Sequence, residues 1–258
     1  MPHRTVLASP LIVVCFLVIA ACGSGETEAE TAAEAPPQEV FQVDPSVAAA
    51  VSGTVLFAGE APKLVPINMG GDEDCKATQD GPVYPETVAV NENGTLKNVF
   101  VFVTTGLEDK AFEVPAEPVR IDQTGCTYVP HVVGIQVGQT LEVSNSDPTL
   151  HNVHPLPRSN SEWNKSQAAG AGVIAETFSK PELMIPVKCN IHPWMRAYVN
   201  VSDHPFFAIT DEMGAFSIDG LPPGDYTLQA VHERFGTQDF EISVVAGESG
   251  TAEFTFGK

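Results

Sequence analysis

Apolar and polar residues alternate in short runs from about residue 50 to the end of the chain. VSGTVLFAG, NVFVFVTT, VRIDQ, VVGIQV, TLEVSNSD, AYVNVSD, FFAITD, AFSIDGL, DYTLQAVH, DFEISVV and AEFTF are β-branched or aromatic, and clusters of Gly, Pro, Asn and Asp separate them. Period-two runs between turn residues predict β-strands. No window carries sustained helical periodicity. SQAAGAGVIAE, residues 166–176, is the one candidate for a turn of helix, and its glycines weaken it. Many short strands with frequent turns predict an all-β chain built from sandwiches.

The residues before this pattern behave differently. Arg4 precedes the apolar run LASPLIVVCFLVIA, and IAAC (Ile19 to Cys22) follows. This resembles a bacterial lipobox, which implies a signal peptide over 1–21 and acylation of Cys22. A plain secretory signal and a single transmembrane anchor are the alternatives, but the apolar run is short for a span. GSGETEAETAAEAPPQEV has no Lys or Arg, so residues 22–49 are expected to form a solvated acidic tether. Gly23 stands where an aspartate favours inner-membrane retention. The expected location is therefore extracytoplasmic and lipid-anchored, facing the periplasm, with the outer membrane favoured over the inner membrane or cell surface.

Charge narrows the partners. The net charge is −20, with only 13 Lys and Arg in 258 residues. A nucleic-acid ligand needs a basic face and is excluded. Of five cysteines, Cys15 and Cys22 belong to the leader and lipid site, leaving an odd three. Cys75 (GDEDCKATQ) and Cys126 (DQTGCTYV) lie in polar, turn-like contexts and are the expected disulfide in an oxidising compartment. Two unpaired buried thiols are the alternative.

Cys189 has other company. In KCNIHPWMR, residues 188–196, Cys189, His192 and Met195 stand three apart. Pro193 pushes His192 out of the α region, so the segment reads as strand, tight loop, strand. A loop that gathers a thiolate, an imidazole and a thioether suits copper, because soft sulfur favours Cu(I) while imidazole also serves Cu(II). Zinc fits a Met ligand poorly. Taken singly, each residue has a plainer reading, as an inert buried thiol, a core methionine or a solvated loop histidine. Their spacing on one loop favours the metal.

Two family resemblances complete the picture. From about Val119 to Asp203 the chain resembles a cupredoxin. YVPHVVGIQVGQTLEVSNSDPTLHNVH follows that family's strand, Gly turn, strand, N-x-D and HN order, and C-N-I-H-P-W-M resembles the short ligand loop of amicyanin. The resemblance implies one type 1 copper per chain, held by His151, Cys189, His192 and axial Met195. It implies that Asn152 ties its loop to the cysteine loop, and that His192 reaches the surface as the electron portal. Ile191, Pro193 and Trp194 would then form a docking patch, with Trp194 as a core aromatic the alternative. His154 lies three residues from His151, so an extended backbone points the two to opposite faces. His154 is then either a surface histidine or a ligand in a variant centre. His131 reads as structural. Lys188 and Arg196 flank the loop, either orienting an acidic partner or as isolated surface charges.

The second resemblance is to the carboxypeptidase regulatory-like or transthyretin-like sandwich, carried by TDEMGAFSIDGLPPGDYTLQAVHE at 210–233. The strands that normally precede this signature match VSGTVLFAG and LKNVFVFV, far upstream. The expected organisation is a cupredoxin Greek-key sandwich (118–203) inserted into a regulatory-like sandwich (50–117 plus 204–258). Two sequential domains are the alternative. His204 and His232 then read as ordinary sandwich residues. The expected function is a lipid-anchored electron carrier between redox proteins, and not an enzyme, since no paired H-x-H motif offers a second copper centre. A binuclear copper centre would need a second cysteine in the loop. A copper carrier or sensor, or an adhesion or carbohydrate-binding sandwich, is the alternative function.

Overall fold

The computed structural model describes residues 39–257. The expected signal peptide, Cys22 and most of the expected tether lie outside the described residues. The described chain opens with β1 (Ala49–Phe57), passes through a long excursion that carries the helix α1 (Glu73–Ala77), and returns as β2 (Phe100–Thr105). Nine strands follow: β3 (Val119–Thr124), β4 (Thr127–Val129), β5 (Val132–Gln136), β6 (Thr140–Asn145), β7 (His151–Pro155), β8 (Lys165–Gln167), β9 (Ile174–Thr177), β10 (Glu182–Lys188) and β11 (Arg196–Ser202). The last five are β12 (Phe207–Ile209), β13 (Ala215–Leu221), β14 (Gly224–His232), β15 (Gly236–Val244) and β16 (Gly250–Phe256).

These strands form two sandwiches. In the first, a sheet of order β13-β1-β16 faces one of order β12-β2-β14-β15. Val51 of β1 pairs antiparallel with Ile218 on one side and parallel with Gly250 on the other. Val51, Val55, Val101, Ile218, Leu228 and Phe254 fill this core. The second sandwich sets β5-β11-β10-β7-β8 against β4-β3-β6-β9. Its core holds Ile121, Ile135, Leu141, Ile185 and Val199, together with Cys189 and Met195. Alternation builds both: in β6, Leu141, Val143 and Asn145 turn inward while Thr140, Glu142 and Ser144 do not. Each fully buried aliphatic side chain contributes about 1.5–3 kcal/mol. Exposed pairs such as Lys76–Glu73 add about 0–1 kcal/mol. Burial therefore decides the fold.

All nine strands of the second sandwich lie between β2 and β12, and the first sandwich takes its strands from both sides of them. At the seam, a Cβ on Gly134 in β5 would lie 2.6 Å from the Phe207 ring and 2.8 Å from Phe100, so the close approach needs glycine. Buried His131 spans the same seam, bonding Glu233 at 2.6 Å through Nε2 and the Arg196 carbonyl at 3.1 Å through Nδ1. His204 donates from Nε2 to the Val103 carbonyl at 2.8 Å. His232 stacks on Phe235, and burial pushes its imidazole down to about 4.

Four details depart from the sequence reading. Residues 166–176 hold no helix, since Lys165–Gln167 pairs with β7 and Ile174–Thr177 with β6, with a turn between. The helix lies at Glu73–Ala77 instead, N-capped by Asp72 through the Cys75 N–H. The end of the expected tether is ordered, because Val40 bridges to Ala111 and the Phe41 ring meets Phe112 edge-on. Finally, Ile67, Met69, Cys75 and Val83, expected in the regulatory-like sandwich, pack against the second core.

Candidate metal centre

The loop 189–195 is closed by the strands on either side of it. Lys188 pairs with Arg196, so β10 and β11 pinch the intervening residues into a tight turn. The Cys189 N–H donates to the Met195 carbonyl at 3.3 Å, and the Met195 N–H donates to the His192 carbonyl at 3.0 Å. The His192 N–H points at Cys189 Sγ at 3.4 Å. β7 runs antiparallel beside β10 with His154 opposite Lys188, which carries His151 toward the loop.

His151, Cys189 and His192 converge there. Their ligand atoms all lie within 4.8 Å of one another, and no residue of the three is more than 2% exposed. The two Nδ1 atoms are 2.8 Å apart, and Cys189 Sγ is 3.7 Å from His192 Nδ1. Metal–nitrogen bonds of about 2.0 Å and metal–sulfur bonds of about 2.3 Å let one ion bridge such separations. Met195 is fully buried in the same core. The converging donors, two imidazoles and a thiolate, fit copper, and the buried Met195 belongs to the residue type that copper takes as a further, weak ligand.

The surroundings favour charge. Burial pushes the Cys189 thiol up, but a hydrogen bond from His151 and the N–H groups of Asn152, His192 and Ile191 outweigh it and bring the thiol down to about 6. Burial likewise opposes a charged His151, yet Asp147 and Cys189 raise it to about 9. Asn152 Oδ1 lies 3.4 Å from Cys189 Sγ and accepts the Asn190 N–H at 2.6 Å, so this side chain joins the two loops.

His154 stays outside the cluster. Its Nε2 bonds Glu162 at 2.7 Å and its Nδ1 bonds Asn190 at 3.1 Å. Two further groupings, Asp72 with Cys75 and His192, and Cys126 with Asp147 and His151, contain no thiolate, because Cys75 and Cys126 form a disulfide. Cys189 is the free cysteine of the described residues.

One expectation fails. His192 does not reach the surface. It is 2% exposed, with Asp72 Oδ2 3.0 Å from its Nε2 and the Trp194 ring 5.2 Å away. Trp194 is half-buried and donates to the Cys126 carbonyl at 3.1 Å, whereas Ile191 and Pro193 are exposed. The sequence reading missed Asp72 and Asp147. Asp147 stood inside the N-x-D stretch without a role, and Asp72 lies 120 residues from the histidine it meets.

Residues 192–257 match the family of the Carboxypeptidase regulatory-like domain. The match covers β12–β16 and extends back over β11, which pairs within the second sandwich. Among solved structures the chain is similar to the Cu-containing nitrite reductase (NirK) from Thermus scotoductus SA-01, at 23% identity over 39% of this chain and 25% of that one, with a TM-score of 0.32. It is similar to the purple cupredoxin from Nitrosopumilus maritimus, at 23% identity over 33% of this chain and 99% of that one, with a TM-score of 0.28. It is also similar to an amicyanin variant in its reduced state, at 24% identity over 35% of this chain and 87% of that one, with a TM-score of 0.30. The matched region spans 25% of the nitrite reductase chain. No curated protein matches the chain.

Proposed function

We propose that this chain is a lipid-anchored, extracytoplasmic type 1 copper protein that carries single electrons between redox proteins. The observation that carries this reading is the buried convergence of His151, Cys189 and His192, drawn from β7 and the β10–β11 loop. Copper bound there supplies a one-electron couple. His151 and His192 would hold it through Nδ1, Cys189 as thiolate and Met195 through its thioether. The closed loop and the Asn152 bridge hold Cys189 and His192 in place before any metal binds, which supports a site that rearranges little between oxidation states. Burial keeps water out.

The chain is a carrier in this reading, not an enzyme. Exposed Ile191 and Pro193, beside half-buried Trp194, form the face where a redox partner docks. The net charge of −20 argues against nucleic acid as that partner. The lipobox-like IAAC at Ile19 to Cys22 supports a lipid anchor, and the Cys75–Cys126 disulfide suits an oxidising compartment.

A visible absorption spectrum of the copper-loaded full chain tests the reading. A Cu(II)–thiolate bond gives an intense charge-transfer band, so oxidised protein is expected to be coloured, with one copper per chain, and to bleach on reduction. Cys189→Ser should abolish the band and His151→Ala should weaken or lose copper, while His154→Ala should leave the spectrum nearly intact. Copper bound without a thiolate band would overturn the carrier reading. Loss on His154→Ala with His151→Ala spared would overturn the ligand set alone.

A further inference from the structure

Both imidazoles of the cluster carry a carboxylate on the nitrogen that faces away from the partner ring. His151 Nε2 lies 2.8 Å from Asp147 Oδ2, and His192 Nε2 lies 3.0 Å from Asp72 Oδ2. Each carboxylate is in turn held by a disulfide cysteine. The Cys126 N–H donates to Asp147 Oδ2 at 2.8 Å and the Gly125 N–H donates to Oδ1 at 2.7 Å. The Cys75 N–H donates to Asp72 Oδ1 at 2.8 Å. The two chains of contacts are alike: cysteine N–H, carboxylate, imidazole. The Cys75–Cys126 bond joins them at the base, and both cysteines are fully buried.

We propose that Asp72 and Asp147 are positioning residues that set both imidazoles with Nδ1 toward Cys189, and that the Cys75–Cys126 disulfide holds the two carboxylates in register. This rests on the copper reading of the site. A carboxylate that accepts the Nε2–H fixes the tautomer, turns the ring and makes the ligating nitrogen a stronger donor. In metal-free protein the two Nδ1 atoms, 2.8 Å apart, share a proton as a hydrogen bond, and a metal ion takes that proton's place between them. The two carboxylates and the thiolate favour the higher charge, Cu(II) over Cu(I), so they lower the reduction potential. Asp72 also covers the His192 edge, because α1 and its cap lie against that ring.

An ordinary helix cap accounts for only half of Asp72. Oδ1 caps α1 through the Cys75 N–H, while Oδ2 is spent on His192. Asp147 is 4% exposed, so its charge is buried beside His151. Asp147 likewise holds the Gly125–Cys126 turn while its Oδ2 also meets His151, so both carboxylates converge on the two imidazoles of one cluster.

The test uses the full chain and the variants Asp72→Ala, Asp72→Asn and Asp147→Ala, with exposed Asp74→Ala as the control. Ring nitrogen NMR of metal-free protein, recorded above pH 9 so that His151 is neutral, reads the tautomers. Competition titrations read Cu(II) and Cu(I) affinity, and voltammetry reads the potential. Asp72→Ala should release the His192 tautomer and weaken Cu(II) binding by about 10- to 100-fold. Each tenfold loss of Cu(II) relative to Cu(I) raises the potential by about 59 mV. Asp72→Asn should keep the tautomer through its amide oxygen and still raise the potential, a split that a purely structural role does not produce. Asp74→Ala should change nothing. Cys75→Ala with Cys126→Ala should move both rings together. Wild-type tautomers, affinity and potential in Asp72→Ala would overturn the proposal. Should Asp147→Ala not fold, the partly exposed Asp72 decides alone. A wild type without a thiolate–copper band overturns the copper reading, while the metal-free ring spectra still decide whether the carboxylates set the imidazoles.

Discussion

The ionisation of Cys189 in metal-free protein is set by contacts that have nothing to do with any metal. The thiol is 2% exposed, and burial alone drives an ionisable thiol upward. The His151 imidazole and three backbone N–H groups reverse this and bring it to about 6. An ordinary thiol near 8.5 is about 3% thiolate at pH 7, whereas one at about 6 is about 90% thiolate, a ratio of roughly thirty. The assay is the ultraviolet thiolate absorbance of metal-free protein followed from acid to base, with Cys189→Ser subtracted to remove other thiols. The pH profile of alkylation serves as a second readout. Burial slows alkylation at every pH, so the midpoint is informative and the absolute rate is not. The midpoint should fall near 6. Because His151 is the first group that lowers the thiol, His151→Ala should move the midpoint up. A wild-type midpoint at or above the ordinary thiol value, or one that His151→Ala leaves in place, would refute the network.

Two further outcomes are expected. Removing the disulfide with Cys75→Ala and Cys126→Ala opens a loop of sequence separation 51, and chain entropy puts the loss at about 4 kcal/mol, measured as the urea midpoint of metal-free protein at constant slope. Cys22→Ala should block lipidation and leave the chain unprocessed or unanchored, read by detergent phase partitioning, and unchanged partitioning would remove the lipoprotein reading.

The strands were legible because the alternation in runs such as TLEVSNSD survives any tertiary detail. The ligand loop was legible because Cys189, His192 and Met195 sit on one short turn, where spacing alone says which side chains meet. Strand alternation allowed only one of His151 and His154 to face the metal and the family resemblance chose His151; the cluster holds His151 and leaves His154 outside. The coupling of Asp72 to His192 was not legible. It depends on which core the excursion after β1 joins, and Ile67, Met69 and Val83 carry no periodic signal of that choice. The burial of His192 was misjudged for the same reason, since the covering carboxylate arrives from 120 residues away. Ahead of β1, Val40 and Phe41 looked like tether because two apolar residues beside an acidic run are too few to announce a packing site.

The parallel pairing of β1 with β16 has a consequence for how the molecule is made. Val51 cannot meet Gly250 until about 200 further residues have been synthesised, which takes on the order of 10–40 s at ordinary translation rates. For most of that interval β1 has neither of its sheet neighbours, since β13 also comes late. The nine strands between can finish folding meanwhile, and once folded they bring β2 and β12 together and shorten the loop that the first sandwich must close. Assembly therefore runs from the middle outward, and the earliest strand of the described chain is among the last to be paired. Pulse-labelled hydrogen exchange during refolding should show protection in β10 and β11 before β1, and the reverse order would contradict this sequence of events.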